Sequence, residues 1–114
     1  MELFILKNKI HKARLTSSCL DYEGSLEIDS EILKEAGILP FEKILVVNMT
    51  NGERLETYAI EGDPNSKVFC LNGAAARKGS AGDIVTIMTF ASMTREEALC
   101  HKPTVIILNE KNDI

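Results

Sequence analysis

Four turn signals, Asn51-Gly52, Asp63-Pro64-Asn65-Ser66, Asn72-Gly73 and Gly82-Asp83, punctuate the middle of this chain about every ten residues. That spacing leaves no room for a long helix and suits strands of ordinary length, so the chain reads as a small, mainly β domain. The strongest signal is Asn51-Gly52, which sits between the β-rich runs Ile44–Thr50 and Glu53–Ile60. Asn-Gly supplies the positive φ angles of a type I′ turn and predicts a tight hairpin. On the return strand Arg54, Glu56 and Tyr58 share one face, and Leu55, Thr57 and Ala59 share the other.

The flanking segments follow the same logic. Residues 3–15 read as a strand with Lys7, Lys9 and His11 on one face, and Ser25–Ile28 as a second extended piece. Asp29 or Ser30 caps a brief helix, Glu31–Ala36, which ends at Gly37 ahead of Pro40. Lys67–Leu71, Ile84–Ala91 and Thr104–Leu108 are further strands, and Thr94-Arg95-Glu96-Glu97 has capping-box spacing for one helical turn. Asn72 can cap a helical turn over the small residues Gly73-Ala74-Ala75-Ala76, which also let a ligand approach the backbone. Strands, short helices and few aromatics point to a small β-barrel.

At 114 residues the chain is predicted to form a single domain, 1–114, with 45% apolar and 26% charged residues. Lys7 and Lys9 interrupt the apolar opening too soon for a signal peptide or a membrane span, so a cytoplasmic protein without a membrane partner is expected. A net charge of −4 and 5% aromatics argue against a nucleic-acid partner. Residues 1–24 are nonetheless locally basic, which suits a small anion. Cys19, Cys70 and Cys100 read as reduced, mostly structural thiols, and neither they nor His11 and His101 show metal-ligand spacing. No metal is therefore expected. These features alone fit a non-enzymatic barrel that binds an anion or a protein as well as they fit an enzyme.

Chemistry enters with Gly24-Ser25. A serine hydroxyl beside a flexible glycine can attack the preceding carbonyl, although most Gly-Ser pairs are ordinary turns. The pair keeps particular company: Lys9-Ile10-His11, Tyr22-Glu23-Gly24-Ser25, Asn51-Gly52-Glu53-Arg54, Thr57-Tyr58, Asn72-Gly73-Ala74-Ala75-Ala76, Gly82-Asp83 and Lys102-Pro103. This ordered set, running from residue 1 to about 110, resembles the bacterial aspartate 1-decarboxylases, pyruvoyl enzymes that supply β-alanine for pantothenate.

The resemblance implies a double-psi β-barrel and a homotetramer with active sites between subunits. It implies self-cleavage into residues 1–24 and 25–114, with Ser25 becoming a covalent pyruvoyl group that forms a Schiff base with L-aspartate, in place of pyridoxal phosphate. A maturation factor for the cleavage is left open. By the same resemblance Thr57 assists the cleavage and also binds substrate, and Tyr58 donates a proton to the product. Arg54 and Lys9 meet the substrate carboxylates, the first as a bidentate fork and the second as a point charge. Gly73, Ala74 and Ala75 offer backbone contacts, and Asn72, His11 and Tyr22 support them. Thr57 and Tyr58 fall on opposite strand faces, so either Thr57 serves another subunit's site or the strand is bulged or twisted there. Gly24 is expected to accept the strained backbone that attack by Ser25 requires.

Overall fold

In the first strand, β1 (Glu2–Arg14), Asn8 and Ile10 are buried while Lys9 and His11 lie on the other side, and a register shift between Leu6 and Asn8 takes Lys7 out of the expected alternation. A bulge between Ile10 and Ala13, with Lys12 at φ 64°, then shifts the phase so that Ala13 and Leu15 point inward. The computed structural model describes residues 1–114. The remaining elements are β2 (Ser17–Cys19), β3 (Ser25–Asp29), α1 (Ser30–Ala36), β4 (Lys43–Asn48), β5 (Arg54–Gly62), β6 (Phe69–Asn72), a 3-10 helix (Gly73–Lys78), β7 (Ile84–Thr94), α2 (Arg95–Cys100) and β8 (Thr104–Ile107). The mainly β class with short helices is as expected, and β7 runs three residues further than its apolar stretch indicated.

The strands form one mixed eight-stranded sheet in the order β2-β6-β3-β5-β4-β7-β1-β8. Three neighbouring pairs, β1/β8, β2/β6 and β3/β5, are parallel. β3 lies between β5 and β6, with Leu26 opposite Ala59 and Leu71, and Ser25 opposite Asn72. One contiguous core of 18 buried apolar residues fills the inside, with Phe69, Ile10, Leu26, Ile28 and Ile44 among its largest members.

The 44–60 hairpin is present, but its turn is not type I′. Val47 pairs with Arg54, Asn48 N–H donates to Glu53 O, and only Gly52 has positive φ, at 79°. Asn48 causes the difference. Its buried Oδ1 accepts from Thr50 N at 2.9 Å and Asn51 N at 3.2 Å, which winds residues 49–52 into a four-residue loop. Its Nδ2 donates to Lys78 O and Asp83 Oδ2, tying that loop to the end of the 3-10 helix and to the 79–83 turn.

Asp29, not Ser30, caps α1. Its fully buried carboxylate accepts from the backbone N–H groups of Glu31 and Asn65 through Oδ1 and of Lys67 through Oδ2, at 2.9–3.0 Å. Burial opposes ionisation, yet these three donors and the Lys67 charge outweigh it and hold the carboxyl below its ordinary value of 3.8. A lowered native pKa contributes stability that is present above the ordinary value and is lost as pH falls through the native one. Asp29→Ala, which strands three donors, should therefore cost roughly 3–5 kcal/mol. Urea unfolding should also show a gap in midpoint between the native chain and Asp29→Asn at pH 7 that narrows below about pH 4.

Candidate active site

The Gly24–Ser25 bond lies where the chain passes from surface to interior. Gly24 is exposed, whereas Ser25, the first residue of β3, is 1% exposed. Ser25 Oγ donates to Glu23 O at 3.1 Å and accepts from Asn72 Nδ2 at 3.2 Å. Asn72 Oδ1 in turn accepts from Cys70 Sγ at 3.3 Å. Asn72 stands at the N-cap of the 3-10 helix but makes no capping bond with its side chain. The expected cap is thus replaced by a hydrogen bond to the serine, because the antiparallel register places the two side chains directly opposite each other.

Gly73 closes the site from behind. Its φ is +67°, and a Cβ there would lie 2.7 Å from Gly24 N and 2.8 Å from both Gly24 Cα and Tyr22 O. Glycine is required at that point by conformation and by space. Gly24 itself shows no such crowding. Its φ is not positive, and a Cβ on it would meet nothing within 4 Å. Its missing side chain therefore leaves open room beside Gly24 Cα.

Thr57 and Tyr58 flank this bond from two sides. β5 pairs with β4 in unbroken register from Lys43↔Tyr58 to Val47↔Arg54, so no bulge turns Thr57 towards Tyr58. Tyr58 instead lines a groove of about 340 Å³ with Tyr22, Glu23 and Ser25, and packs its ring 6.4 Å from that of Phe41. Thr57 lines a second groove, of about 280 Å³, with Gly24, Ala74 and Ala75. Ser25 and its tyrosine thus share one groove, while the glycine, the threonine and the small residues of the 3-10 helix share the other.

Arg54, Lys9 and His11 are gathered elsewhere, on the outward face of the β5-β4-β7-β1 portion of the sheet. Arg54 pairs with Val47 and Val47 with Thr86, whose Oγ1 meets His11 Nδ1 at 3.3 Å. The next row runs Glu56, Leu45, Met88, Lys9. Three strand spacings, about 14 Å, separate Lys9 from β5. Partial burial, and then the charges of Lys9 and Lys12, lower the His11 pKa below 6.5, so at neutral pH His11 is a neutral hydrogen-bonding group and not a third cation.

No cluster of three or more His, Cys, Asp or Glu side chains is placed to hold a metal ion, and no helix is long and apolar enough to cross a membrane. A family model described as aspartate decarboxylase matches residues 1–114. The chain belongs to the aspartate decarboxylase family. It is 54% identical over 114 residues to an aspartate 1-decarboxylase of Clostridium kluyveri, covering 100% of this chain and 90% of that protein. It is 56% identical over 113 residues to one of Chlorobium limicola, covering 99% and 88%. A third, of Syntrophobacter fumaroxidans, is 52% identical over 112 residues, covering 98% and 90%. Of the segments that carried the resemblance, Tyr22–Ser25, Thr57-Tyr58 and Asn72–Ala75 meet around the Gly24–Ser25 bond, and those with Lys9, His11 and Arg54 do not.

The tight fit at Gly73 gives a direct check on this geometry. Gly73→Ala should push the 22–24 segment off the 3-10 helix, lowering the thermal midpoint by several degrees and making that segment cleavable in limited proteolysis. An unchanged midpoint and digestion pattern would contradict the close packing.

Proposed function

We propose that this chain decarboxylates L-aspartate to β-alanine, for pantothenate synthesis in the cytoplasm, with a pyruvoyl group made from its own Ser25. The observation that carries the reading is the buried Ser25 hydroxyl, held by Asn72 next to the exposed Gly24 and lining one groove with Tyr58. The residues fit such a group. The backbone at Tyr22 and Gly24 leaves room only for glycine at position 73, and Asn72 Nδ2 points at the oxygen that is to react.

Self-cleavage proceeds through the chain's own atoms. Ser25 Oγ bonds to the Gly24 carbonyl carbon, the bond from that carbon to Ser25 N breaks, and the hydroxyl proton passes to the freed amine. Thr57, which lines a groove with Gly24, donates to the oxyanion that develops there, a contribution of roughly 3 kcal/mol. Loss of the Ser25 α-proton then expels Gly24 as a carboxylate, and the remaining enamine takes up water and releases ammonia. When formed, the pyruvoyl ketone supplies the electrophile and electron sink for decarboxylation. Tyr58 delivers the proton to the α-carbon, and Gly73, Ala74 and Ala75 present backbone groups with Asn72 and Tyr22 beside them.

The carboxylates of aspartate need cations that one protomer does not bring to its own Ser25. Lys9, His11 and Arg54 occupy the outward sheet face, and we assign them to a neighbouring protomer's site within a homotetramer whose strands close as a double-psi barrel. Arg54 grips one carboxylate as a fork, Lys9 adds charge and neutral His11 a hydrogen bond.

Denaturing intact mass of the purified protein should show fragments 1–24 and 25–114, the larger reactive with hydrazine, while Ser25→Ala stays whole. Cleavage that needs added cell extract would establish a maturation factor, and a chain still whole with extract would refute self-processing. Tyr58→Phe should cleave normally yet lose at least a hundredfold in turnover of aspartate. Co-expressed Ser25→Ala and Arg54→Ala chains should together recover activity that neither shows alone; no recovery would refute a shared site.

A further inference from the structure

Cys70 is buried at 7% exposure on β6, two residues before Asn72 and therefore on the same strand face. Its Sγ lies 3.3 Å from Asn72 Oδ1 but 4.0 Å from Leu71 O, so the side-chain amide is its nearer partner. We propose that Cys70 is a positioning residue for self-cleavage, acting by locking the Asn72 amide so that its NH2 faces Ser25. The inference rests on the reading of Ser25 as the nucleophile.

The polarity of the chain of hydrogen bonds supports it. Ser25 Oγ gives its one proton to Glu23 O, so towards Asn72 it can only accept. While the hydroxyl keeps its bond to Glu23 O, a flipped amide would set Oδ1 against Oγ, acceptor on acceptor, and leave the NH2 group facing sulfur, a weak acceptor. The thiol proton on Oδ1 selects the other orientation. Cys70, Asn72 and Ser25 are all buried, so water is poorly placed to substitute for a lost partner. As the Ser25 proton leaves, charge grows on Oγ, and the Asn72 N–H that the thiol keeps in place stabilises it. The thiol forms no bond with the reacting atoms and undergoes no redox change.

The test is the time course of self-cleavage, followed by denaturing intact mass on the full chain, with thermal unfolding measured in parallel. Cys70→Ala should slow cleavage by about fivefold to tenfold. Cys70→Ser, which keeps a donor, should restore the rate to within about twofold of native. If Cys70→Ala does not fold, Cys70→Val, near in size but without a donor, takes its place. In an Asn72→Ala background the loss of Cys70 should slow cleavage no further. Equal rates for the native chain and the donor-free variant would overturn the role of Cys70 while leaving self-cleavage intact. So would an equal slowing by Ser and Ala, or additive slowing in the Asn72→Ala background. A native chain that never cleaves would instead remove the reading on which the role depends, and the role with it.

Discussion

A buried carboxylate governs where the reactive end of this fold lies. Asp29 ends β3, starts α1 and gathers the 65–67 loop, all through one side chain bonded to three backbone donors. A charge in that position is costly in isolation, and only complete hydrogen bonding makes it stabilising. Because it fixes one end of a five-residue strand, it also fixes the other. Ser25 sits four residues away on a strand clamped between β5 and β6, so slippage at Asp29 would break its match with Asn72.

Asparagine plays the corresponding part elsewhere. Asn8 donates to Ala36 O and accepts from Thr89, joining β1 to α1 and β7. Asn48 holds two loops, and Asn112 binds both backbone groups of Arg14 together with Lys67 O, closing the C-terminal turn onto β1. Each is at most 5% exposed. An amide carries donors and an acceptor on one short stem, so it can substitute for a missing ladder partner at places where strands end irregularly. The same chemistry at Asn72 is what touches the serine.

Much of the fold was legible because alternation and caps are local signals. The strand phases, the Gly37 stop, the Thr94 capping box and the hairpin all rest on neighbours within a few residues. β2 was not legible, since Ser17-Ser18-Cys19 is short and wholly exposed, with no buried face to mark it. The turn type and the Asn72 cap were misread for one shared reason: an asparagine side chain can serve either its own backbone or a distant partner, and only tertiary register decides which. The proposed site residues were legible only through resemblance. That Lys9, His11 and Arg54 share a sheet face depends on pairings across four strands, and the orientation of Cys70 towards Asn72 depends on burial. Neither leaves a periodic trace in the sequence.

The short strand β2 has a meaning beyond filling an edge. It lies parallel to β6, while β1, on the same side of Gly24, is held by β7 and β8. All three partner strands belong to the part of the chain beyond Ser25. Cutting after Gly24 would leave every one of these pairings in place and change only how the polypeptide is connected. Before the cut, the fold is reached by one molecule closing on itself. After it, the same shape is a complex of two chains, and regaining it from the unfolded state requires an encounter whose rate depends on concentration. The covalent link would then matter for assembly alone, and a mature molecule once unfolded would not readily return to its starting point.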